Sequence, residues 1–302
     1  MYIIKHRNWF FALTGVLVVA SLIALLTFGL RLSIDFTGGT LVTATYSETR
    51  APATELDAAL RQAGFDNFSL REAGERDVML RTGSIDSGER ETLADTFSID
   101  GQYPVTISQL SEIGPTIGAE LRKKAVLSIA LVMLCILFFI AFAFRKVSQP
   151  VSSWIYGLVA LVTLLHDVIV PVGFFAILGH FHGAVIDTLF VTAILTVLGF
   201  SVHDTIVVFD RTRENLRLNH EKGRKEDFAE TAGRSLSQTF TRSVNTSLTV
   251  IITLLILYFI GPASTKDFAL TLLVGIIAGT YSSIFLATPL LVTIEKKYGK
   301  RT

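Results

Sequence analysis

The sequence predicts a membrane all-α bundle of six transmembrane helices that carries one external α+β domain with a ferredoxin-like order of elements. Half of the 302 residues are hydrophobic and 18% are charged, whereas about a quarter of the residues of a soluble protein are charged. Six stretches are apolar over about 18 residues or more, and a helix of about 20 residues crosses a hydrocarbon core of about 30 Å. The segment between the first two stretches is charged throughout, which is typical of a domain in water.

The apolar stretches define the predicted domains. Residues 1–30 hold the first transmembrane helix, residues 31–124 form the external domain, and residues 125–302 form a five-helix membrane domain with a cytoplasmic loop at residues 210–241. A cleaved signal peptide is the alternative for the first stretch, but its apolar core exceeds about 15 residues and no cleavage site of small residues follows it. We therefore expect an uncleaved anchor. The six stretches are Trp9–Leu30, Ala125–Phe144, Trp154–Leu178, Val185–Phe209, Val244–Ile260 and Phe268–Val292.

Basic residues predict the orientation of the chain, because cytoplasmic loops near helix ends carry an excess of lysine and arginine. They collect before the first stretch, between the second and third, in residues 210–241 and after the last stretch, whereas Gly179–Ala184 contains none. We expect both termini on the cytoplasmic side and the external domain on the opposite side. The net charge of +1 hides this asymmetry, which a membrane explains without nucleic acid as a partner.

The external domain alternates strand and helix patterns. Runs of β-branched and apolar residues at alternate positions predict strands, and Pro52 and Gly64 suit the first turn and the end of the helix between them. The resulting order β-α-β-β-α-β is that of a ferredoxin-like unit. The predicted elements are the strand Gly39–Tyr46, the helix Pro52–Ala63, the strands Asn67–Arg71 and Asp77–Arg81, the helix Gly88–Phe97 and the strand Pro104–Leu110.

This domain shows no catalytic motif in its sequence. It contains no histidine and no nucleophile motif, and its carboxylates lie among arginines along helix faces, so we do not expect an enzyme. The segment Asp35-Phe36-Thr37-Gly38-Gly39 stands out because its paired glycines permit a tight turn just outside the membrane. From the residues alone, a structural hinge is favoured over a binding site.

Two aspartates lie inside predicted spans, where an aspartate costs about 2.5 to 3.5 kcal/mol to insert. Asp167 is near the middle of the third span, and Asp204 is about two turns before the arginines that mark the cytoplasmic interface. If the fifth span runs antiparallel beside the fourth, Arg242 lies at the depth of Asp204. Because arginine stays protonated, the aspartate is the group that can carry a proton as the guanidinium approaches or withdraws.

Each of these charged residues has a structural alternative. Asp204 and Arg242 could form a static ion pair that holds the bundle together, and Asp167 could bond to neighbouring hydroxyls or to the backbone. The pattern His-Asp-x-Ile-Val occurs at both aspartates. Adjacent side chains on a helix point about 100° apart, so we expect no metal site at His166 or His203.

Three motifs resemble the SecF family of bacterial protein-export membrane proteins, which together with SecD is related to the RND transporter superfamily. The resemblance covers essentially the whole chain: six spans, one external domain and the long loop before the fifth span. The motifs are Ile34-Asp35-Phe36-Thr37-Gly38-Gly39-Thr40, residues 198–215 from Leu198 to Asn215, and Gln238-Thr239-Phe240-Thr241-Arg242-Ser243.

The resemblance implies a subunit that pairs with SecD in the bacterial cytoplasmic (inner) membrane, among membrane lipids. It implies that the pair helps the SecYEG channel, with YajC as a further candidate partner, to move unfolded preproteins outward. The coupling ion is H+ (or Na+), with no other cofactor. The ion relay maps onto Asp204 and Arg242, with a further carboxylate supplied by SecD, and the residues alone add Asp167. His203 departs from the family pattern, which often has a polar amide there.

Two other functions are compatible with the same residues. An RND-type efflux half-unit for lipids or small molecules usually carries a much larger external domain with a substrate cleft, so the modest domain here argues against it. A structural scaffold of the translocase without ion coupling would tolerate Asp204→Asn, whereas a relay would not.

Overall fold

The computed structural model describes residues 2–65, 68–145 and 151–298. The chain is 74% helical and contains a four-stranded antiparallel sheet. Within the described residues, six helices are long and apolar enough to cross a membrane. The predicted fold class is therefore confirmed.

The chain divides into two compact units, one helical and one α+β. The helical unit comprises Met1–Leu30, Leu127–Ala184 and Leu189–Thr302, and the α+β unit comprises Arg31–Val126 and Val185–Thr188. In chain order the elements are α1 (Tyr2–Lys5), α2 (Arg7–Phe28), α3 (Ile34–Thr37), β1 (Gly39–Tyr46), α4 (Ala53–Gln62), β2 (Phe68–Ala73), β3 (Asp77–Thr82), α5 (Ser87–Ser98), β4 (Val105–Ile113), α6 (Pro115–Ala143), α7 (Ser153–His182), α8 (Thr188–Glu221), α9 (Phe228–Ile260), α10 (Ala263–Ser282), a π-helical turn (Ser283–Ala287) and α11 (Thr288–Tyr298).

Residues 210–241, predicted as a cytoplasmic connection that resembles an amphipathic helix, are mostly helical. α8 continues to Glu221 and α9 begins at Phe228, so residues 222–227 connect the two helices. Hydropathy marks where a helix leaves apolar surroundings, not where the helix ends, so this cytoplasmic connection can be helical without being apolar. Ion pairs three or four positions apart stabilise the exposed turns of α8. These pairs are Arg211–Glu214 at 2.6 Å, Asp210–Arg213 at 3.3 Å and Arg217–Glu221 at 3.6 Å.

The α+β unit has the ferredoxin-like topology. Its strands lie in the order β2-β3-β1-β4, and each neighbouring pair is antiparallel, as expected when two β-α-β units interleave. Asn67, predicted to open the second strand, lies outside the described residues, and β2 is described from Phe68.

Local sequence explains the core of this unit. Alternate residues of β1 face the same side of the sheet, which buries Val42, Ala44 and Tyr46. α5 begins at a capping box, in which Asp86 and Glu89 each accept a hydrogen bond from the other's backbone N–H. The helices cover the sheet with apolar residues spaced four apart, which are Leu56 and Leu60 of α4 and Leu93 and Phe97 of α5.

Small residues bring the helices of the helical unit close together. A Cβ atom on Gly279 of α10 would lie 2.9 Å from the Cβ of Ser201 on α8, and one on Gly275 would overlap the side chain of Val197. Such close approach is typical of small residues at membrane helix contacts. The contact of α10 with α8 brings the polar residues of the two helices together.

We expect Tyr46→Phe to destabilise the α+β unit. The buried Tyr46 hydroxyl donates a hydrogen bond to the backbone oxygen of Phe97 at 2.9 Å, and removing it should lower the free energy of unfolding by about 1 kcal/mol. Burial also raises the pKa of Tyr46 to about 12. Folding therefore favours the protonated phenol, and this contribution is complete below the ordinary tyrosine value of about 10 and lost as the pH rises through about 12.

Urea unfolding of the full chain in detergent, followed by tyrosine absorbance at neutral and alkaline pH, measures both effects. The variant should be less stable at neutral pH and should lose less stability than the wild type at alkaline pH. Parallel alkaline losses in the two proteins would contradict the assignment.

Candidate functional site

Asp204 lies in the middle of the helical unit on α8. Its side chain is 4% exposed. Oδ1 accepts a hydrogen bond from the Ser243 hydroxyl of α9 at 3.1 Å, and Oδ2 is buried with no hydrogen-bond partner among the described residues. An ionised carboxylate that lacks donors is expensive away from water. The site therefore leaves one carboxylate oxygen open to a proton or a cationic partner.

Arg242 lies beside this site without entering it. It neighbours Ser243 along α9, and its side chain is exposed. Within the described part of the chain, no ion pair joins Arg242 to Asp204. Consecutive side chains on a helix point about 100° apart, so the turn that directs Ser243 toward α8 directs Arg242 away from it. The static ion pair considered above is absent from this arrangement, and the relay role stays a prediction.

Asp204 belongs to a polar α8–α9 seam, which we define as four contacts between these antiparallel helices. As residue numbers fall along α8, the partners rise along α9. The contacts are Asn219 Nδ2 to Thr231 Oγ1 at 3.0 Å, Asn215 Nδ2 to Ser235 Oγ at 2.8 Å, Arg211 Nε to Gln238 Oε1 at 2.7 Å, and Ser243 Oγ to Asp204 Oδ1 at 3.1 Å. The seam fixes the depth at which α9 faces Asp204.

Sequence reasoning missed this seam, although a signal for it exists. On α9 a serine or threonine recurs at every fourth position, and residues four apart share one helix face. All five hydroxyl residues are buried, and the last accepts a hydrogen bond from the Thr280 hydroxyl of α10 at 2.6 Å. They are Thr231, Ser235, Thr239, Ser243 and Ser247.

Glu226 closes the seam in the connection between α8 and α9. Its Oε2 accepts hydrogen bonds from Asn219 Nδ2 at 2.6 Å and Thr231 Oγ1 at 3.0 Å, and it pairs with Arg234. Burial opposes ionisation, but these donors and the Arg234 charge outweigh it and hold the pKa of Glu226 below its usual range. An ionised Glu226 therefore ties the end of α8 to the start of α9.

Asp167 forms a second buried polar cluster on α7. It is 0% exposed. Oδ2 accepts hydrogen bonds from the hydroxyls of Ser201 on α8 and, at 2.9 Å, Ser282 on α10, and Oδ1 lies 2.8 Å from Nδ1 of His166. These contacts are of the kind that the structural alternative for Asp167 predicts. Because Ser201 is one turn before Asp204 on α8, the helix that carries Asp204 also contacts Asp167.

Asp35 binds the first residue of α8. Its Oδ2 accepts hydrogen bonds from the backbone N–H of Thr188 at 3.0 Å and from the Thr188 hydroxyl at 2.9 Å. A carboxylate is favourable at a helix N-terminus, where N–H groups are unpaired and the helix dipole is positive. The segments that precede α3 and α8 are also hydrogen-bonded to each other. The Ser33 N–H donates to the backbone oxygen of Ile186, and the Ile186 N–H donates to that of Arg31, both at 2.8 Å.

The paired glycines of the same motif allow close packing of the backbone around them. Gly38 and Gly39 have φ of +77° and +128°, values that side chains disfavour. A Cβ on Gly38 would lie 2.7 Å from the Cα of Pro115, and one on Gly39 would lie 2.5 Å from the backbone oxygen of Thr82. Phe36 is buried beside them. The motif is thus a close-packed junction between α3, β1, the end of β3 and the start of α6.

Two family descriptions match this chain. Residues 95–297 match "Protein export membrane protein SecD/SecF, C-terminal" and residues 23–49 match the "SecD/SecF GG Motif". The protein translocase subunit SecF of Thermobaculum terrenum is 46% identical over 98% of this chain and 94% of its own length. That of Anaerolinea thermophila is 37% identical, over 97% of this chain and 94% of its own. The chain belongs to the SecD/SecF family. Its relatives are SecF subunits, so the resemblance inferred from the three motifs is confirmed.

Solved structures of SecDF share the fold. A SecDF crystal structure from Thermus thermophilus matches with a TM-score of 0.85 at 30% identity over 98% of this chain. A SecDF structure in a "super-membrane-facing form" matches with a TM-score of 0.68, also at 30% identity, over 97% of this chain. This chain spans 39% and 38% of those longer chains. Six spans and SecF relatives together make it a multi-pass membrane protein of the bacterial inner membrane.

We expect Gly39→Ala to destabilise the protein more than the same substitution at a glycine whose added Cβ would meet no neighbouring atoms. The added Cβ meets Thr82 in addition to the unfavourable φ, and the cost should exceed about 2 kcal/mol. Gly101→Ala is the matched control, because Gly101 also has positive φ (+82°) but nothing lies within 4 Å of its added Cβ. Thermal unfolding of the two full-length variants in the same detergent measures the difference, and equal melting temperatures would refute the packing explanation.

Glu226→Gln should loosen the cytoplasmic end of the seam by about 1 kcal/mol at neutral pH. Because the pKa of Glu226 is lowered, the wild type should hold this contribution at neutral pH and lose it as the pH falls through that pKa, while the variant lacks the acid-induced step. Hydrogen–deuterium exchange of residues 222–240 measures the loosening. Glu221→Gln is the control, since the exposed Arg217–Glu221 pair should contribute little; comparable loosening by both variants would count against the seam.

Proposed function

We propose that this chain is the SecF half of a SecD/SecF unit that uses the proton-motive force, or a sodium gradient, to promote preprotein translocation across the bacterial cytoplasmic membrane. The observation that carries the proposal is the buried Asp204 carboxylate, one of whose oxygens has no hydrogen-bond partner among the described residues. Its other oxygen accepts a hydrogen bond from Ser243, which follows Arg242 on α9. Ionisable groups at such depth mark ion pathways. In this proposal the chain catalyses no covalent reaction and needs no cofactor besides the coupling ion.

The relay works by changing the partner of Asp204. When Arg242 turns toward α8, its guanidinium pairs with the carboxylate and the proton leaves. When Arg242 turns out, as it is here, a proton takes the place of the cationic partner. One charge that crosses the membrane gains about 2.3 kcal/mol per 100 mV, so a few ions are enough to shift a two-state helix bundle.

α8 carries two of the features that the proposal uses. Asp204 lies within this helix, and Asp35 of the glycine motif binds its first residue, Thr188.

The proposed partners come from the comparison with SecDF. This chain spans 39% of a solved SecDF chain, and in the proposal SecD supplies the rest of such a unit, with a further buried carboxylate. In this arrangement both termini are cytoplasmic, and the α+β unit meets the preprotein on the opposite side of the membrane. The unit assists the SecYEG channel, and YajC is a further partner. The exposed apolar surfaces of α2 and α6 face lipid or SecD.

Asp204→Asn should abolish the gradient-dependent part of preprotein transport while the complex with SecD stays assembled. Transport into vesicles that contain SecYEG, with a proton gradient, a sodium gradient or neither, measures that part. Asp210→Asn is the control, because Asp210 lies on the same helix but is exposed in a surface pair with Arg213. Gradient-stimulated transport by Asp204→Asn equal to that of the control would instead favour the scaffold function.

A further inference from the structure

His166 is a buried titratable residue that the proposed relay leaves unused. It lies on α7 inside the helical unit and is 3% exposed. Its Nδ1 is 2.8 Å from Oδ1 of Asp167, and its Nε2 is buried with no hydrogen-bond partner among the described residues. An imidazole with one nitrogen bound and the other unpaired, away from water, calls for a chemical explanation.

The contacts of Asp167 favour one tautomer of His166. Oδ2 of Asp167 accepts two hydroxyl hydrogen bonds, from Ser201 and Ser282, which stabilise the ionised carboxylate. An ionised carboxylate can only accept, so beside it Nδ1 of His166 donates its hydrogen to Oδ1. In the neutral ring the lone pair then resides on Nε2. A carboxylate that orients an imidazole in this way also stabilises the imidazolium that forms when the second nitrogen takes a proton.

The surroundings of His166 contain few other ionisable groups. Tyr281 of α10 lies with its ring centroid 6.0 Å from that of His166, and its hydroxyl is engaged with α2 through Thr14 at 3.2 Å and the oxygen of Phe10 at 3.0 Å. α8 contributes Ser201 and, one turn further, Asp204. Among the described residues, the titratable groups next to the imidazole are thus Asp167 of α7 and Tyr281 of α10. Asp204 lies one turn from Ser201 along α8, and α2 contributes the neutral Thr14.

We propose that His166 is a second proton-binding site of the bundle, with Asp167 as its positioning residue. A proton binds the Nε2 lone pair and converts the imidazole to an imidazolium, whose charge is balanced by the Asp167 carboxylate; the N–H bond is the one bond formed. The ligand is H+ and not Na+, because the open atom is a single nitrogen whereas hard cations take several oxygen ligands. This inference rests on the proposed function and specifies its coupling ion.

The direct test is nuclear magnetic resonance of 15N-histidine in the full chain, held in lipid nanodiscs and titrated across the range in which histidines change charge. His166→Asn identifies the signal, since its amide can still donate to Asp167 but cannot titrate. We expect the neutral form to be the Nδ1–H tautomer and to become doubly protonated on acidification, equally in sodium and in potassium buffers. A signal that stays in one protonation state throughout, or a neutral Nε2–H tautomer, would overturn the proposal.

Asp204→Asn separates this inference from the proposed function. In that variant His166 should still titrate, although gradient-driven transport is lost. If His166 titrates in a wild-type complex whose transport does not depend on any gradient, the proposed function is wrong and the proton-binding site is supported. If transport is gradient-driven and depends on Asp204 but His166 does not titrate, the proton-binding site is wrong and the proposed function is supported. In the transport assay, His166→Asn should make the transport rate depend less on pH. An unchanged pH dependence would show that the site takes no part in coupling.

Discussion

The cost of placing a carboxylate out of water governs the helical unit. Each buried aspartate must find donors, a counter-charge or a proton, and the two aspartates meet this demand differently. Asp167 has hydrogen-bond partners at both oxygens, on α7, α8 and α10, whereas among the described residues Asp204 has a single hydroxyl donor and one oxygen without a partner. The first arrangement holds three helices together. The second is incomplete, and in the proposed relay either a proton or a guanidinium completes it.

α8 connects the parts on which this account depends. Its first residue is bound by Asp35, its middle carries Ser201 and Asp204, and its last turns form the seam with α9 that Glu226 closes. Four polar contacts join the two helices along α8, from Asn219 to Asp204, so the register between Asp204 and the turn that holds Arg242 is well defined. A register set by polar contacts is suited to a relay, because such contacts are specific in geometry and modest in energy.

Much of the fold could be predicted from the sequence. Apolar length predicted six spans, and alternation predicted β1 at its observed bounds, because both signals come from burial itself. The extent of α8 and α9 could not be predicted from hydropathy, since their cytoplasmic turns are held by ion pairs and by the seam. The two aspartates were found because charge in a span is rare, but Ser243, and the outward direction of Arg242, depend on how two helices rotate against each other. The role of Asp35 as the cap of α8 joins residues far apart in sequence, and the glycine motif alone does not specify it.

The most direct test of the central claim is infrared difference spectroscopy of the carboxyl groups in lipid-embedded complex, with Asp204→Asn used to assign the band of Asp204. The account predicts that Asp204 gains and loses a proton as the pH changes, and that Arg242→Gln leaves it protonated under conditions in which the wild type ionises. A band of Asp204 that is the same with and without the guanidinium would contradict the account.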